Sequence, residues 1–250
     1  MIASLPMYDW PEVNHIHDAF WQLLRNNLLT RGIEAPELLS RSYNEGSDWT
    51  SPDLFLSQTC GYPFATLLRG RVQYLATPVY GVAGCENGYY ASAIITRTDS
   101  KINLNNIEGS RFAYNSTNSW SGYRTVIREY GNLEDKFGLL VESQGHRNSA
   151  RMVAHGEADV AALDAVCWHL LQHYEPETAG LLKVIAWTKM HPSLPLITSL
   201  ETSQAVAGNL VEAIEEVLAS NEFASFRGHL PLVGCVKIDP EIYMDLGRDI

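Results

Sequence analysis

The stretch "NSTNSWSGY", residues 115–123, concentrates small hydroxyl side chains where a helix is predicted to begin. It holds three serines, a threonine and a glycine, and it lies between the strand-like "RFAYN" and the helix-like "GYRTVIREYG". A helix N-terminus has free backbone N–H groups and a positive dipole end, so small residues with hydroxyl donors suit it to binding an anion. We therefore predict an anion site made by Ser119, Ser121, Gly122 and neighbouring N–H groups, with Trp120 as a wall.

Helix capping is the alternative explanation for these hydroxyls. A serine at the N-cap accepts a hydrogen bond from a backbone N–H group two or three residues on, and it needs no ligand for that. One hydroxyl is enough to cap a helix, whereas this stretch supplies several, next to a glycine that allows close approach. The sequence leaves both uses of Ser119 and Ser121 open.

Two further loops follow predicted strands and carry polar or aromatic side chains. "SQTCGYP" (57–63) follows the strand "DLFLS", and "PMYDWP" (6–11) follows the strand at 2–5. Because ligands of open α/β sheets bind beyond the carboxyl ends of strands, these loops are candidate binding segments. We predict ligand contacts from Gln58, Gly61, Tyr62 and Tyr8, and ordinary turns are the alternative.

A third segment, "SQGHRNSARMVAHGEADVAALDAV", offers His146 before a helix and Asp164 directly after a strand. His146 could donate to an anion, most strongly when protonated. Asp164 could instead be the N-cap of the next helix, or a specificity residue that accepts a proton or contacts an amine. A surface or capping role for His146 is equally open.

No enzyme motif stands out in the chain. The sequence has no GxSxG elbow, no P-loop, no GxGxxG after a strand and no HExxH. Cys60 with His146 is a conceivable nucleophile pair, but no spacing demands it. No cysteine or histidine spacing is typical of zinc ligands, so we predict no metal and no cofactor. Cys60 and Cys85 are either two thiols or a disulfide that would add ~3 kcal/mol.

The elements that position these loops alternate between strand and helix along the whole chain. This alternation predicts an α/β protein with largely parallel sheets. The strongest patterns are apolar positions at helical spacing from Ile16 to Leu28, and runs rich in aromatic and β-branched residues. Strands are predicted at 2–5, 53–57, 72–80 and 89–97, and helices at 64–70, 121–130 and 203–220.

Two segments look like crossings between lobes. "VYGVAGCENGYY" (79–90) is rich in glycine, and "AWTKMHPSLPLIT" (186–198) is an extended segment stiffened by prolines. They bracket a middle segment of about a hundred residues, as a discontinuous first domain with an inserted second domain would require. We therefore expect one lobe from 1–80 plus 190–250 and another from 81–189, with the ligand between them.

Composition and charge narrow the classes of partner. The 250 residues carry 29 acidic and 18 basic side chains, a net charge of −11. A nucleic-acid binder needs a basic face and a lipid-surface binder needs cationic segments, so neither is expected. No apolar run is long enough for membrane insertion. "MIASLPMYDWPE" has no signal-peptide pattern, so we expect a cytoplasmic protein if Met1 is the natural start, and a periplasmic one if a leader was removed.

The order of these motifs resembles that of a known family. "ASLPMYD", "SQTCGYP", "NSTNSWSGY", "GHRNSARMVAHGEADVAALDAV" and "WTKMHPSLPLIT" follow one another as in the phosphonate- and phosphate-type solute-binding proteins of ABC transporters. These are PhnD-like type II periplasmic binding proteins. The likeness extends over nearly the whole chain, although "SQTCGYP" departs from the usual form of that loop.

The resemblance implies a two-lobed Venus-flytrap fold, its lobes joined by two crossover strands, that captures a small anionic ligand. In the family, the serine-rich helix start cradles the phosphorus oxyanion, which here falls on Ser119, Trp120 and Ser121. Tyr8 matches the family's aromatic residue after the first strand, and Asp164 the acid that meets an amine in aminophosphonate binders. We expect a monomer that delivers phosphate, phosphite or a small phosphonate to an ABC permease and ATPase. An enzyme of cofactor biosynthesis or a cytoplasmic metabolite sensor on the same fold is the alternative.

Overall fold

The computed structural model describes residues 1–42 and 45–248. The chain divides into two compact units. The first unit contains Met1–Gly81 and Pro192–Gly247, and the second contains Val82–His191 with Arg248. Each unit has its own five-stranded sheet, so each is described separately below.

The helices and strands follow one another in this order. The chain begins with β1 (Ile2–Ser4), α1 (Asn14–Thr30), α2 (Glu45–Asp48), β2 (Leu54–Gln58), α3 (Gly61–Ala65) and β3 (Val72–Tyr80). The second unit contains β4 (Cys85–Glu86), β5 (Tyr89–Tyr90), β6 (Ser92–Arg97), β7 (Arg111–Tyr114), a π-helical turn (Trp120–Arg124), α4 (Thr125–Tyr130), α5 (Leu133–Lys136), β8 (Leu139–Glu142), α6 (His146–Ala154), β9 (Val160–Asp164), α7 (Ala165–Tyr174), α8 (Pro176–Gly180) and β10 (Leu182–Trp187). After β11 (His191–Pro192) come β12 (Leu196–Ser199), α9 (Gln204–Ala219), α10 (Asn221–Ala224), β13 (Leu232–Val236), α11 (Pro240–Met244) and a 3-10 turn (Asp245–Gly247).

The first unit is built on a sheet in the order β1-β2-β12-β3-β13. β1 and β2 run parallel, with Ser4 opposite Ser57, so both strands end at the same edge. Two long helices cover the sheet because each presents an apolar face at helical spacing. In α1 the buried face includes Ile16, Phe20 and Leu24, as the sequence predicts.

The second unit is built on a sheet in the order β10-β6-β9-β7-β8. Strand β7 runs parallel to both β8 and β9. The carboxyl ends of these three strands therefore meet at one edge. Asn115 and Ser143 directly follow β7 and β8, and Asp164 is the last residue of β9. Phe112 and Phe137 stack in the core below, with ring centroids 4.6 Å apart.

The alternation of strands and helices is confirmed, but the expectation of largely parallel sheets is wrong. In the first unit β12 pairs antiparallel with both β2 and β3, and β13 pairs antiparallel with β3. In the second unit β6 pairs antiparallel with β9 and β10. Both sheets are therefore mixed. In the first unit the reversed strands are β12, which returns the chain to the sheet, and β13, and in the second unit it is β6, which enters the sheet first.

Two other details differ from the sequence prediction. The short helix predicted at 64–70 instead begins at Gly61 and ends at Ala65, because the segment after Cys60 already turns. Strand β13, which carries a glycine, and helix α11 were not predicted. Among the described residues no disulfide joins two cysteines, so Cys60 and Cys85 are thiols.

Candidate functional site

The helix that follows β7 begins with a π-helical turn at Trp120. Ser119 caps it: its Oγ accepts a hydrogen bond of 3.1 Å from the N–H of Gly122. Its backbone carbonyl accepts from the N–H of Arg124, five residues on, which widens the turn. Capping therefore accounts for one hydroxyl of the predicted cluster and leaves the hydroxyl of Ser121 to be explained.

Ser121 is buried and faces a histidine instead of the helix. Its Oγ lies 2.8 Å from Nε2 of His146, the first residue of α6. The other ring nitrogen of His146, Nδ1, lies 3.1 Å from the carbonyl oxygen of Ala162 in β9. Because a carbonyl only accepts, Nδ1 carries a proton and donates, and this fixes the orientation of the ring.

Asp164 completes the cluster from the end of β9. Its Oδ1 accepts a 2.8 Å hydrogen bond from the N–H of Cys167, so it is the N-cap of α7. Its Oδ2 lies 3.3 Å from Nε2 of His146. The carboxylate is 3% exposed and is thus engaged on both oxygens within the protein. Asp164 is therefore the N-cap of α7, and it also faces the histidine. Its predicted role as a specificity residue stays a prediction.

Asn115, directly after β7, also belongs to this cluster, although its role was not predicted. Its Nδ2 lies 3.5 Å from Nε2 of His146. Its Oδ1 is buried and has no hydrogen-bond partner among the described residues. A Cβ on Gly122 would lie 1.9 Å from that oxygen, so any other residue here would force the Asn115 side chain to move. The sequence feature that could have indicated Asn115 is its position as a polar residue immediately after a predicted strand.

Burial dominates the electrostatics of the cluster. It lowers the pKa of His146, against the opposing effects of Asp164 and the Ala162 carbonyl. Burial next to Asp164 raises the pKa of Cys85 to about 12 and the pKa of Cys167 well above its ordinary value. Near neutral pH both thiols are therefore protonated and the imidazole is neutral.

The Ser121, His146 and Asp164 side chains do not form a catalytic triad. In a triad the serine and the carboxylate contact opposite nitrogens of the imidazole. Here Nε2 faces both of them, and Nδ1 is occupied by Ala162. Among the described residues, no group of three or more histidine, cysteine or acidic side chains could hold a metal ion.

Trp120 is 1% exposed and packs within the second unit. The guanidinium carbon of Arg128 lies 4.9 Å from its ring centre. The ring of His191 meets it edge-on at 4.7 Å. Burial, with Arg128 and Lys189 nearby, lowers the pKa of His191 to about 4, so its ring is neutral at neutral pH. These contacts give the turn that carries Ser121 a rigid support.

The other predicted binding residues lie in the first unit. Tyr8 is buried, has a left-handed φ of 64° and meets Tyr80 edge-on at 5.2 Å. Gln58 ends β2, and its Nε2 donates to the carbonyl of Leu194. Tyr62, in the first turn of α3, is partly buried.

Gly61 is a glycine for a reason that the sequence did not suggest. A Cβ at this position would lie 2.6 Å from Cδ1 of Leu246 and 3.6 Å from the ring of Tyr243. The close approach is therefore to the C-terminal segment of the first unit. Whether its backbone also contacts a ligand stays a prediction.

None of the helices in the described part of the chain combines the length and apolar character needed to cross a membrane.

The solved structures that share the fold include the following three. PhnD1 from Prochlorococcus marinus (MIT 9301), in complex with methylphosphonate, has a TM-score of 0.75 at 15% identity, covering 99% of this chain and 97% of that one. A binding protein component of an ABC phosphonate transporter from Pseudomonas aeruginosa has a TM-score of 0.74 at 20% identity, covering 98% and 83%. XAC2383 from Xanthomonas citri, bound to chloride ion, has a TM-score of 0.74 at 17% identity, covering 99% and 95%.

The amino-acid sequence was also compared with curated proteins and with protein families. A search of curated proteins finds no match. Residues 52–239 match the family described as ABC transporter, phosphonate, periplasmic substrate-binding protein. The matched segment includes the hydroxyl-rich turn, His146 and Asp164. The chain therefore belongs to the family of periplasmic substrate-binding proteins of phosphonate ABC transporters, and its fold is that of the type II periplasmic binding proteins.

Proposed function

We propose that this protein captures a small phosphorus oxyanion (phosphate, phosphite or a small phosphonate) through the hydroxyl-rich turn of the second unit. The observation that carries the proposal is that Ser121, two residues after the capping Ser119, meets His146 at the carboxyl edge of three parallel strands. One of these hydroxyls is used in capping, whereas Ser121 is buried against a histidine that supplies a second polar group. Family membership favours phosphorus among the oxyanions.

The net charge of −11 makes local donors essential for such a ligand. The overall field repels an anion, so binding depends on hydrogen bonds at short range and on the dipole of the helix that begins at Trp120. In the first turn of that helix, the Ser119 hydroxyl accepts the hydrogen bond from the N–H of Gly122. The positive end of the helix dipole lies at the same turn. Contacts from Tyr8, Gln58, Gly61 and Tyr62, and a ligand position between two lobes, stay predictions from the sequence.

We also infer that the protein binds its ligand without converting it and delivers it to an ABC permease. The contacts of Ser121, His146 and Asp164 are not those of a catalytic triad, and family membership favours binding without turnover. A periplasmic location and a monomeric state follow from the family's mode of action and belong to the same proposal. Phosphorus-31 spectra of the ligand after release should be those of the starting compound, and a new resonance would indicate turnover.

The test is a thermal melt against phosphate, phosphite, methylphosphonate, 2-aminoethylphosphonate, sulfate and a set of carboxylates, followed by calorimetric titration. A ligand at 100 times its dissociation constant stabilises the folded protein by about 2.7 kcal/mol. We expect a selective upward shift with one or more phosphorus oxyanions. No shift with any of them would contradict the proposal.

A matched pair of serine variants then tests the site. Ser121→Ala removes a hydroxyl that would donate to a charged oxygen, so affinity should fall about 10- to 100-fold. Ser225→Ala removes an exposed hydroxyl of the first unit that donates to the Glu222 carbonyl, and it should leave affinity unchanged. Equal affinity of the two variants would remove Ser121 from the site.

A further inference from the structure

In the buried cluster of Ser121, His146 and Asp164, both other side chains face Nε2 of His146, and a neutral ring can form only one hydrogen bond there. With Nδ1 of His146 donating to Ala162, a neutral ring has only a lone pair on Nε2. That lone pair faces both the Ser121 hydroxyl at 2.8 Å and the Asp164 carboxylate oxygen at 3.3 Å. The hydroxyl can supply the one hydrogen bond, which leaves the carboxylate oxygen facing an acceptor.

This state of the cluster is poorly suited to an anion. While the Ser121 hydroxyl donates to Nε2, its hydrogen cannot also point at a ligand oxygen. If it turns to the ligand, Nε2 and the Asp164 oxygen are left as two acceptors in contact, in a site already carrying negative charge. Burying a further anion there without compensation is unfavourable.

One added proton resolves both problems. Placed on Nε2, it makes an imidazolium that donates to Asp164 and releases the Ser121 hydroxyl for the ligand. The imidazolium and the carboxylate then neutralise each other, so the anion no longer meets an uncompensated negative charge. The proton comes from solvent and no covalent bond of the ligand changes.

We propose that His146 and Asp164 take up one proton when the oxyanion binds, so that Asp164 acts on the ligand through His146 as a positioning residue. This inference rests on the proposed function, since it concerns the same site. It extends that function because the affinity for the anion should rise as the pH falls. The rise is up to tenfold per pH unit over the range in which a full proton is taken up.

In the described part of the chain, the charged and titratable neighbours of His146 and Asp164 are two thiols and an arginine that pairs with a glutamate. Cys85 and Cys167 face Asp164, and both thiols stay protonated through the neutral range because burial raises their pKa. Arg147, next to His146 on α6, pairs with Glu175 from the N-terminal end of α8. Burial lowers the pKa of His146 in the empty protein, so its ring is neutral near pH 7 and free to take up a proton.

The experiment is isothermal titration calorimetry with methylphosphonate and with inorganic phosphate. It is run near pH 8 in buffers of different ionisation enthalpy, and the slope of binding enthalpy against that enthalpy gives the protons taken up. The contribution of the ligand's own ionisation is subtracted. We expect about one proton for the unaltered protein, and an imidazolium pattern for the His146 ring nitrogens in nitrogen-15 spectra of the complex.

Two variants separate uptake by the histidine from protonation of the ligand. In His146→Gln an amide N–H replaces the imidazolium donor permanently, so uptake should fall to about zero while weakened binding stays measurable. In Asp164→Asn the new amide can donate to Nε2 and can still cap α7, so uptake should also vanish. His155→Gln, at the exposed C-terminal end of the same helix, is the control and should keep the full uptake.

The outcomes distinguish this inference from the proposed function. Binding without net proton uptake, or uptake that persists in His146→Gln, overturns the inference and leaves the proposed function standing. Failure of every oxyanion to bind overturns both.

Discussion

Gly122 gives the sharpest test of the packing around the candidate site. An alanine Cβ at this position would lie 1.9 Å from Oδ1 and 2.8 Å from Cγ of Asn115, and 3.1 Å from Cε1 of His146. No Cβ tolerates the first two distances, so the Asn115 side chain must move. His146 cannot retreat easily because Nδ1 and Nε2 both make hydrogen bonds.

The expected size of the effect comes from two opposing contributions. Replacing glycine by alanine inside a helix normally stabilises by about 0.5–1 kcal/mol. Overpacking a buried site costs about 1–3 kcal/mol. Gly122→Ala should therefore lower the free energy of unfolding by up to about 2.5 kcal/mol, which corresponds to a fall in Tm of up to about 10 °C for a chain of this size.

Gly208→Ala is the matched control. Gly208 lies on the exposed side of α9, its φ is not positive, and a Cβ there would meet nothing within 4 Å. This variant should raise stability by about 0.5–1 kcal/mol. In a double-mutant cycle, Asn115→Ala should restore much of the loss in Gly122→Ala, because it removes the atoms that collide. If Gly122→Ala stabilises as much as Gly208→Ala, the packing described here is wrong.

Three further predictions concern other parts of the chain. Gly61→Ala should destabilise by about 1–3 kcal/mol in urea unfolding, since its Cβ would lie 2.6 Å from Leu246 Cδ1, and a neutral result would contradict the packing of the C-terminal segment. Cys85 should resist alkylation at pH 8 in the folded protein, because burial raises its pKa to about 12, and rapid modification would count against its burial. The Asp159 carboxylate accepts hydrogen bonds from the Arg111 guanidinium, at 2.7 Å from Nη2 and 3.0 Å from Nε, and these bonds lower the pKa of Asp159 from its ordinary value of 3.8. The stabilisation from this pair is therefore complete above about pH 4 and is lost as the pH falls through the lowered pKa, so Asp159→Asn should flatten the acid limb of a pH–stability curve.

Periodicity and composition predicted most of the local structure. Strand β3 covers the predicted residues 72–80, because its aromatic and β-branched residues suit a buried strand. Helix α1 follows the apolar spacing from Ile16 to Leu28. Strand direction could not be predicted, because a mixed sheet and a parallel one have the same pattern of buried residues. Strand β13 was missed because Gly234 interrupts a short run.

The candidate site was predictable in its residue types and only in part in its contacts. Hydroxyls at a helix start identified Ser119 and Ser121, and the position after a strand identified Asp164. The sequence could not separate the capping serine from the one facing His146, since that depends on the π-helical turn. Asn115 was overlooked because its role depends on the lack of a side chain at Gly122, seven residues later.

Whether the hydroxyl-rich turn and His146 hold a phosphorus oxyanion can be seen in a crystal structure of the protein with the phosphorus oxyanion that stabilises it most in the thermal melt. We predict that an oxygen of the ligand lies about 2.7–3.0 Å from Ser121 Oγ, with further oxygens at the first turn of the helix. A ligand bound elsewhere, with Ser121 still donating to His146, would contradict the account.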